Sequence, residues 1–178
     1  MIKIEDYIVR YENILDEKTC DSIVQTYDKK NWNRSTVSDS EVNESRKCFG
    51  RPLDKKFHEK IFNAIGSILN SYKQTHPFFH TGLTCEDTGY EHLVYLGSEK
   101  GEYKMHSDHF DLYPRVLSIS FILNDTYDGG DFCFFGDSSL IVKKKKGSAV
   151  VFPSNFCFPH AVTPVSNGDR HSIITWIH

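Results

Sequence analysis

The sequence predicts a mainly β protein, an antiparallel sandwich or barrel, with α-helices flanking it. Three observations carry that expectation. From about Phe78 onward the chain breaks into short apolar runs separated by turn signals: Gly97-Ser98, Asn124-Asp125, Asp128-Gly129-Gly130, Phe135-Gly136-Asp137, Lys146-Gly147 and Asn167-Gly168-Asp169. Thirteen Phe and nine Tyr among 178 residues supply rings that suit the half-buried face of a pleated sheet. Two stretches of helical periodicity stand ahead of these runs and offer cover for one outer face.

Taken in order, residues 2–10 are partly alternating and β-branched, which predicts a short strand. Asp16 is placed to cap a helix carrying Cys20, Ile23, Val24 and Tyr27 at helical spacing. From Lys29 to Arg51 the chain is polar and without period, a long loop that serves either as a lid over a site or as a plain surface connection. A second helix is expected over 54–73, where Phe57, Ile61, Ala64, Ile65, Ile68, Leu69 and Tyr72 form one apolar stripe; His76-Pro77 ends it. Strands are then expected near 78–85, 90–97, 101–106, 116–123, 131–135, 139–143, 147–152, 158–163 and 171–177. The chain reads as one domain over 1–178. Residues 1–75 give a strand, two supporting helices and a lid-like loop, and 76–178 the β core.

Bulk properties narrow the function. A net charge of −3 gives no general attraction for nucleic acid, and the Lys143–Lys146 run reads as a solvated turn. Five cysteines (Cys20, Cys48, Cys85, Cys133 and Cys157) are odd in number and scattered, as reduced thiols are in a reducing compartment. With no signal-peptide-like start and no run of membrane-spanning length, a cytoplasmic protein with no membrane partner is expected.

The residues that carry chemistry lie in the second half. His106 and Asp108 are two apart near a predicted strand end, so both project from one face, and His160 follows 54 positions later in another strand. Two imidazoles and a carboxylate suit a non-haem Fe(II) that keeps coordination positions open. Taken alone, a His-x-Asp pair is weak evidence in a chain with nine histidines. Arg170 strengthens it, because an Arg facing a barrel interior is costly unless an anion meets it. Ser172 faces the same way and offers a hydroxyl. The competing reading is a rim Arg170 paired with Asp169. A zinc hydrolase on His106 and His109 fits poorly, since residues three apart on a strand face opposite sides and no HExxH is present.

The stretch from Tyr95 to His178 resembles the 2-oxoglutarate- and Fe(II)-dependent oxygenases, specifically the prolyl 4-hydroxylase-like branch. The matching features run in order: Gly101-x-Tyr103-x-x-His106-x-Asp108, Arg115-x-x-Ser118, Leu123-Asn124-Asp125, Gly129-Gly130, Lys146-Gly147, Val151-Phe152, His160, Pro164-Val165-x-x-Gly168-x-Arg170 and Trp176. The segment Asn13-Ile14-Leu15-Asp16-x-x-x-Cys20 is similar to the family's opening helix. The resemblance implies a double-stranded β-helix (jelly-roll, cupin-like) core, Fe(II) on His106, Asp108 and His160, and the distal carboxylate of 2-oxoglutarate on Arg170. It further implies O2 as oxidant, ascorbate as an accessory reductant, and hydroxylation of a C–H bond with release of succinate and CO2. Tyr103 is expected to contact the cosubstrate or pack in the barrel, and Arg115 and Trp176 to lie against substrate. A Tyr that many relatives carry seven positions after the pocket Arg is Ile122 here, and Tyr95 is the replacement expected. The substrate implied is a prolyl residue in a peptide or protein. A free amino acid or other small metabolite is the alternative, as is a jelly-roll that binds metal without catalysis. Nucleic-acid demethylation is disfavoured because Trp176 stands where those relatives carry a second Arg.

Overall fold

The computed structural model describes residues 2–36, 44–81, 85–110, 112, 114–136 and 139–178. Among the described residues two α-helices, α1 (Glu17–Val24) and α2 (His58–Thr75), accompany thirteen strands. These are β1 (Val9–Tyr11), β2 (Asn33–Arg34), β3 (Phe49–Pro52), β4 (Glu91–Leu96), β5 (Tyr103–His106), β6 (Leu117–Ile122) and β7 (Asp128–Gly129). They continue with β8 (Phe132–Phe134), β9 (Leu140–Val142), β10 (Ala149–Pro153), β11 (His160–Val162), β12 (Val165–Asn167) and β13 (Asp169–Ile177). A seven-stranded sheet has the order β1-β10-β6-β13-β4-β3-β2, and a four-stranded sheet the order β5-β11-β8-β9; β12 and β7 form a small pair. The pairings are antiparallel throughout. Two facing antiparallel sheets with helices behind one of them make the jelly-roll architecture the resemblance implies.

The alternation of side chains along the large sheet gives it two apolar faces. On the outer face Ile119, Phe121, Ile173 and Ile177 pack against Ile23 of α1 and Ile61, Ile65 and Ile68 of α2. On the inner face Leu93, Tyr95, Ile122, Val150 and Phe152 meet Phe132, Phe134 and Val162 of the small sheet. Ile61 and Ile68 are fully buried, and each such side chain contributes about 1.5–3 kcal/mol on leaving water. The helical stripe read from sequence is the buried face of α2.

Asp16 caps α1 as expected, accepting from the Thr19 N–H at 2.8 Å. A second device turns the chain from β4 into β5. Gly101 lies against Leu96, where any Cβ would stand 2.8 Å from the Leu96 nitrogen, and Lys100 just before it takes a left-handed φ of 50°.

Three expectations are corrected. Residues 2–10 are not one strand: a 3-10 turn spans Ile4–Tyr7 before β1 begins. Lys29–Arg51 is not a continuous loop, because it contains a 3-10 turn at Lys29–Asn31, β2 and most of β3, which extend the large sheet beside β4. The lid-like loop expected of this segment falls in part on 37–43, which lie outside the described residues. The strand expected over 78–85 is absent from its described part, where turns follow α2, and 82–84 lie outside the described residues. The remaining strands stand within a few residues of their expected places.

Candidate active site

The two histidines come together by strand pairing. His106 ends β5 and His160 begins β11, and the two are direct register partners with ring centroids 4.3 Å apart. Nδ1 of His106 lies 2.8 Å from the Lys104 carbonyl, and Nδ1 of His160 lies 3.1 Å from that of Phe158. An Nδ1–H donating to each carbonyl leaves both Nε2 lone pairs facing inward, the tautomer a metal ligand needs.

Asp108 arrives differently from the expectation. β5 stops at His106, so Asp108 reaches the histidines from the loop that follows rather than from the strand face. Its Oδ1 stands 3.7 Å from His106 Nε2 and its Oδ2 3.5 Å from His160 Nε2. The ligand atoms of all three residues lie within 4.8 Å of one another, so one ion can touch all of them. Burial pushes the Asp108 carboxyl up, but attraction to His160 and His106 and donation from Ser118 outweigh that and hold it below its usual value. Burial, with repulsion from His160, lowers His106 to about 4. The cluster therefore presents neutral imidazole beside an ionised carboxylate at neutral pH. Tyr103 stacks on His106 with centroids 3.5 Å apart and 18° between the planes, which fixes the ring's tilt.

β13 lines the cavity beside this cluster with every second side chain: Arg170, Ser172, Ile174 and Trp176. Arg170 is 3% exposed, donates from Nη1 to Ser172 Oγ at 3.0 Å, and lies 4.9 Å above the ring of Tyr95, its partner on β4. Its Nε is buried without a hydrogen-bond partner. The rim pair with Asp169 does not form: Asp169 Oδ1 instead accepts from the Gly97 N–H at 3.1 Å. Ile122, where relatives carry Tyr, is buried in the inner core.

Arg115 and Trp176 also meet at this cavity. The Arg115 guanidinium lies 3.6 Å over the Trp176 ring, and its Nη1 donates to the Asp108 carbonyl at 3.3 Å. Trp176 is half-buried at the cavity wall, not in the core. The space these residues enclose is about 410 Å³.

Several residues of the site went unassigned in the sequence. Arg46 lines the cavity with its guanidinium 5.0 Å over Tyr103 and Nη2 3.8 Å from Glu91 Oε2. Burial raises the Glu91 carboxyl. Arg46 gave no signal because it stood in an aperiodic polar stretch. Ser118 belonged to the ordered motif but had no role until the structure placed its hydroxyl 2.6 Å from Asp108 Oδ2.

Comparison with known proteins follows the same lines. The family model described as the 2OG-Fe(II) oxygenase superfamily matches residues 90–178. A PKHD-type hydroxylase of Shewanella sp. (strain MR-7) is 24% identical over 181 residues, spanning 96% of this chain and 77% of that protein. A prolyl hydroxylase from Trichoplax adhaerens, solved with a hypoxia inducible factor oxygen degradation domain peptide, superposes with a TM-score of 0.75 at 19% identity, over 96% of this chain and 83% of that one. A viral collagen prolyl hydroxylase of Paramecium Bursaria Chlorella virus-1, solved with 2OG, gives a TM-score of 0.70 at 18% identity, over 96% and 95%. No helix among the described residues is long and apolar enough to cross a membrane.

Proposed function

The chain belongs to the 2OG-Fe(II) oxygenase superfamily, and on that premise we propose that its cavity hydroxylates a prolyl residue of a peptide or protein. His106, Asp108 and His160 are read as the Fe(II) ligands, and Arg170 with Ser172 as the dock for the far carboxylate of 2-oxoglutarate. The observation that carries this reading is a buried Arg170 whose Nε has no partner, facing a cavity that also holds the His-Asp-His cluster. Ser172 and Tyr95 meet part of this buried charge and leave Nε unsatisfied; an anion completes the pairing, and a dicarboxylate spanning from Arg170 to a metal would supply it. Two Nε2 lone pairs and one ionised carboxylate are the donor set that suits Fe(II).

Fe(II) with 2-oxoglutarate supplies the O2 activation and oxidative decarboxylation to succinate and CO2 that hydroxylation requires. The protein's share is placement. Tyr103 and the backbone carbonyls of Lys104 and Phe158 hold the imidazoles in one orientation. Phe132, Val162 and Ile174 give the cavity dry walls. Arg115 laid over Trp176 presents a flat apolar face rimmed by N–H donors, a match for a pyrrolidine ring and its flanking carbonyls. Arg46 and Glu91 continue this polar lining, which favours a polypeptide over a lone apolar metabolite. Residues 1–178 are read as one such domain. The five free cysteines fit a reducing cytoplasm.

The test is incubation with Fe(II), 2-oxoglutarate, ascorbate and a library of proline-containing peptides, scored by mass spectrometry for the gain of one oxygen atom and by succinate formation. Coupled peptide oxidation is the expected result. Oxidation of free amino acids but of no peptide would overturn the substrate assignment and leave the chemistry standing.

A further inference from the structure

Asp108 is the one proposed ligand that no strand holds. Both histidines sit in paired strands, whereas Asp108 lies two residues past the end of β5. A ligand on a loop needs support from a rigid element if its oxygens are to stand ready for an ion. β6 supplies it. Ser118 is fully buried on β6 and flanked on both sides, by Phe152 of β10 and Trp176 of β13. Its Oγ donates to Asp108 Oδ2 at 2.6 Å and stands 2.8 Å from Ser154 Oγ. A hydroxyl has one proton. With that proton given to the carboxylate, Ser118 accepts from Ser154, and the chain runs in one direction from Ser154 to Ser118 to Asp108. Ser154 is itself buried and anchored through its N–H to the Val116 carbonyl at 3.0 Å.

We propose that Ser118 and Ser154 are positioning residues that orient the Asp108 carboxylate by occupying one lone pair of Oδ2. This rests on the reading of His106, Asp108 and His160 as a metal site. Two hydroxyls in series polarise one another and tighten the bond to the carboxylate. Arg115 holds the same residue from its other end, at the backbone carbonyl, so carboxylate and main chain are fixed separately. Outer hydrogen-bond partners of metal ligands commonly carry a factor of about 10–100 in metal affinity.

The experiment titrates Co(II), as an O2-stable stand-in for Fe(II), into wild type, Ser118→Ala, Ser118→Thr and Ser154→Ala, reading affinity by calorimetry and ligand field by the visible d–d bands. Thermal unfolding of each metal-free protein reports folding. Ser118→Ala is expected to bind Co(II) about 10–100-fold more weakly with altered bands, and Ser118→Thr, which restores the hydroxyl, to recover both. A folded Ser118→Ala protein with wild-type affinity and bands overturns the proposal, as does a Ser118→Thr protein no better than Ser118→Ala. Should Ser118→Ala fail to fold, Ser154→Ala decides: weaker binding with shifted bands supports the relay, and wild-type behaviour overturns it. Wild-type protein that takes up no Co(II) would overturn the metal assignment itself and the relay with it.

Discussion

Replacing Arg170 by Met separates what this residue does for function from what it does for folding, because the two effects have opposite signs. Arg170 is 3% exposed, and its Nη1 bond to Ser172, its stacking on Tyr95 and its interaction with the Tyr127 hydroxyl offset only part of its charge. Met has nearly the same reach and no charge. In the metal-free protein the substitution removes an under-compensated buried cation, which stabilises the fold by about 1–2 kcal/mol. For a chain of 178 residues that is a rise in Tm of roughly 2–8 °C. Binding of 2-oxoglutarate goes the other way. The two charge-assisted hydrogen bonds proposed between Arg170 and its carboxylate would be lost, at a cost of about 3–5 kcal/mol, or roughly two to three and a half orders of magnitude in Kd. Differential scanning fluorimetry of the metal-free variant and anaerobic titration of 2-oxoglutarate into the Co(II)-loaded form measure the two numbers. A variant that still bound 2-oxoglutarate within a few-fold of wild type would refute the anion-docking role, whatever its Tm.

Three further outcomes are expected. His106→Ala removes one of three ligands and should abolish coupled turnover while weakening Co(II) uptake, and succinate formation at the wild-type rate would show that the ion sits elsewhere. Arg115→Ala takes the cation off Trp176 and loosens the Asp108 loop, so the KM for peptide should rise about 5–30-fold, the equivalent of about 1–2 kcal/mol of lost cation–π and hydrogen bonding, with the 2-oxoglutarate KM changing less; steady-state kinetics in each substrate will show which moves. Stability should fall on acidification because of a buried pair on the outer face of the large sheet. His92 Nε2 lies 3.1 Å from His171 Nδ1; burial, then repulsion from His171 and Arg51, lowers His92 to about 3, and burial, against the pull of Asp169, lowers His171 to about 4. Both folded values lie below the unfolded value near 6.5, so the unfolded chain binds more protons in between. Their stabilisation is complete above about pH 6.5 and is lost as pH drops toward 3–4, at about 1.4 kcal/mol per pH unit for each ring. Urea unfolding at pH 7 and pH 5, compared with a His92→Leu, His171→Leu protein, should show the variant losing roughly 2–4 kcal/mol less between the two.

What was legible in the sequence was whatever has a short-range signature or a fixed chemistry. The stripe Ile61, Ile65, Ile68, Tyr72 repeats with the helix, and the structure buries those residues. His106 and His160 were legible as a pair because strands separated by turns can return a distant residue to a direct partner, and they do. The misses have particular causes. Ile2-Lys3-Ile4 alternates like a strand, but the Asp6 carboxylate accepts from the Lys3 N–H at 2.8 Å, and that local side-chain bond wins the backbone into a turn. β3 contains Gly50 and Pro52, which argue against a strand, yet Gly suits the crowded place it holds: a Cβ at 50 would come within 2.3 Å of Glu91 Oε1 and 2.5 Å of Ser35 Oγ, and those side chains would have to shift. Asp108 was expected on the strand face because a period of two was carried past His106, where the strand had ended. Arg46 and the Ser118–Ser154 pair depend on contacts between distant strands and loops, for which one sequence has no local code.

The pairing of His106 with His160 has a consequence for how the protein is held together. The two residues close a loop of 54 intervening steps, and within it lie β6 to β10, strands of both main sheets. An ion held by His106, Asp108 and His160, as proposed, would be a removable staple across that loop, favouring the folded state and tying the small sheet at its β5–β11 seam. The small sheet has only four strands, three of them three residues long. Loss of such an ion would withdraw a catalytic group and a structural fastening together, at the β5–β11 seam.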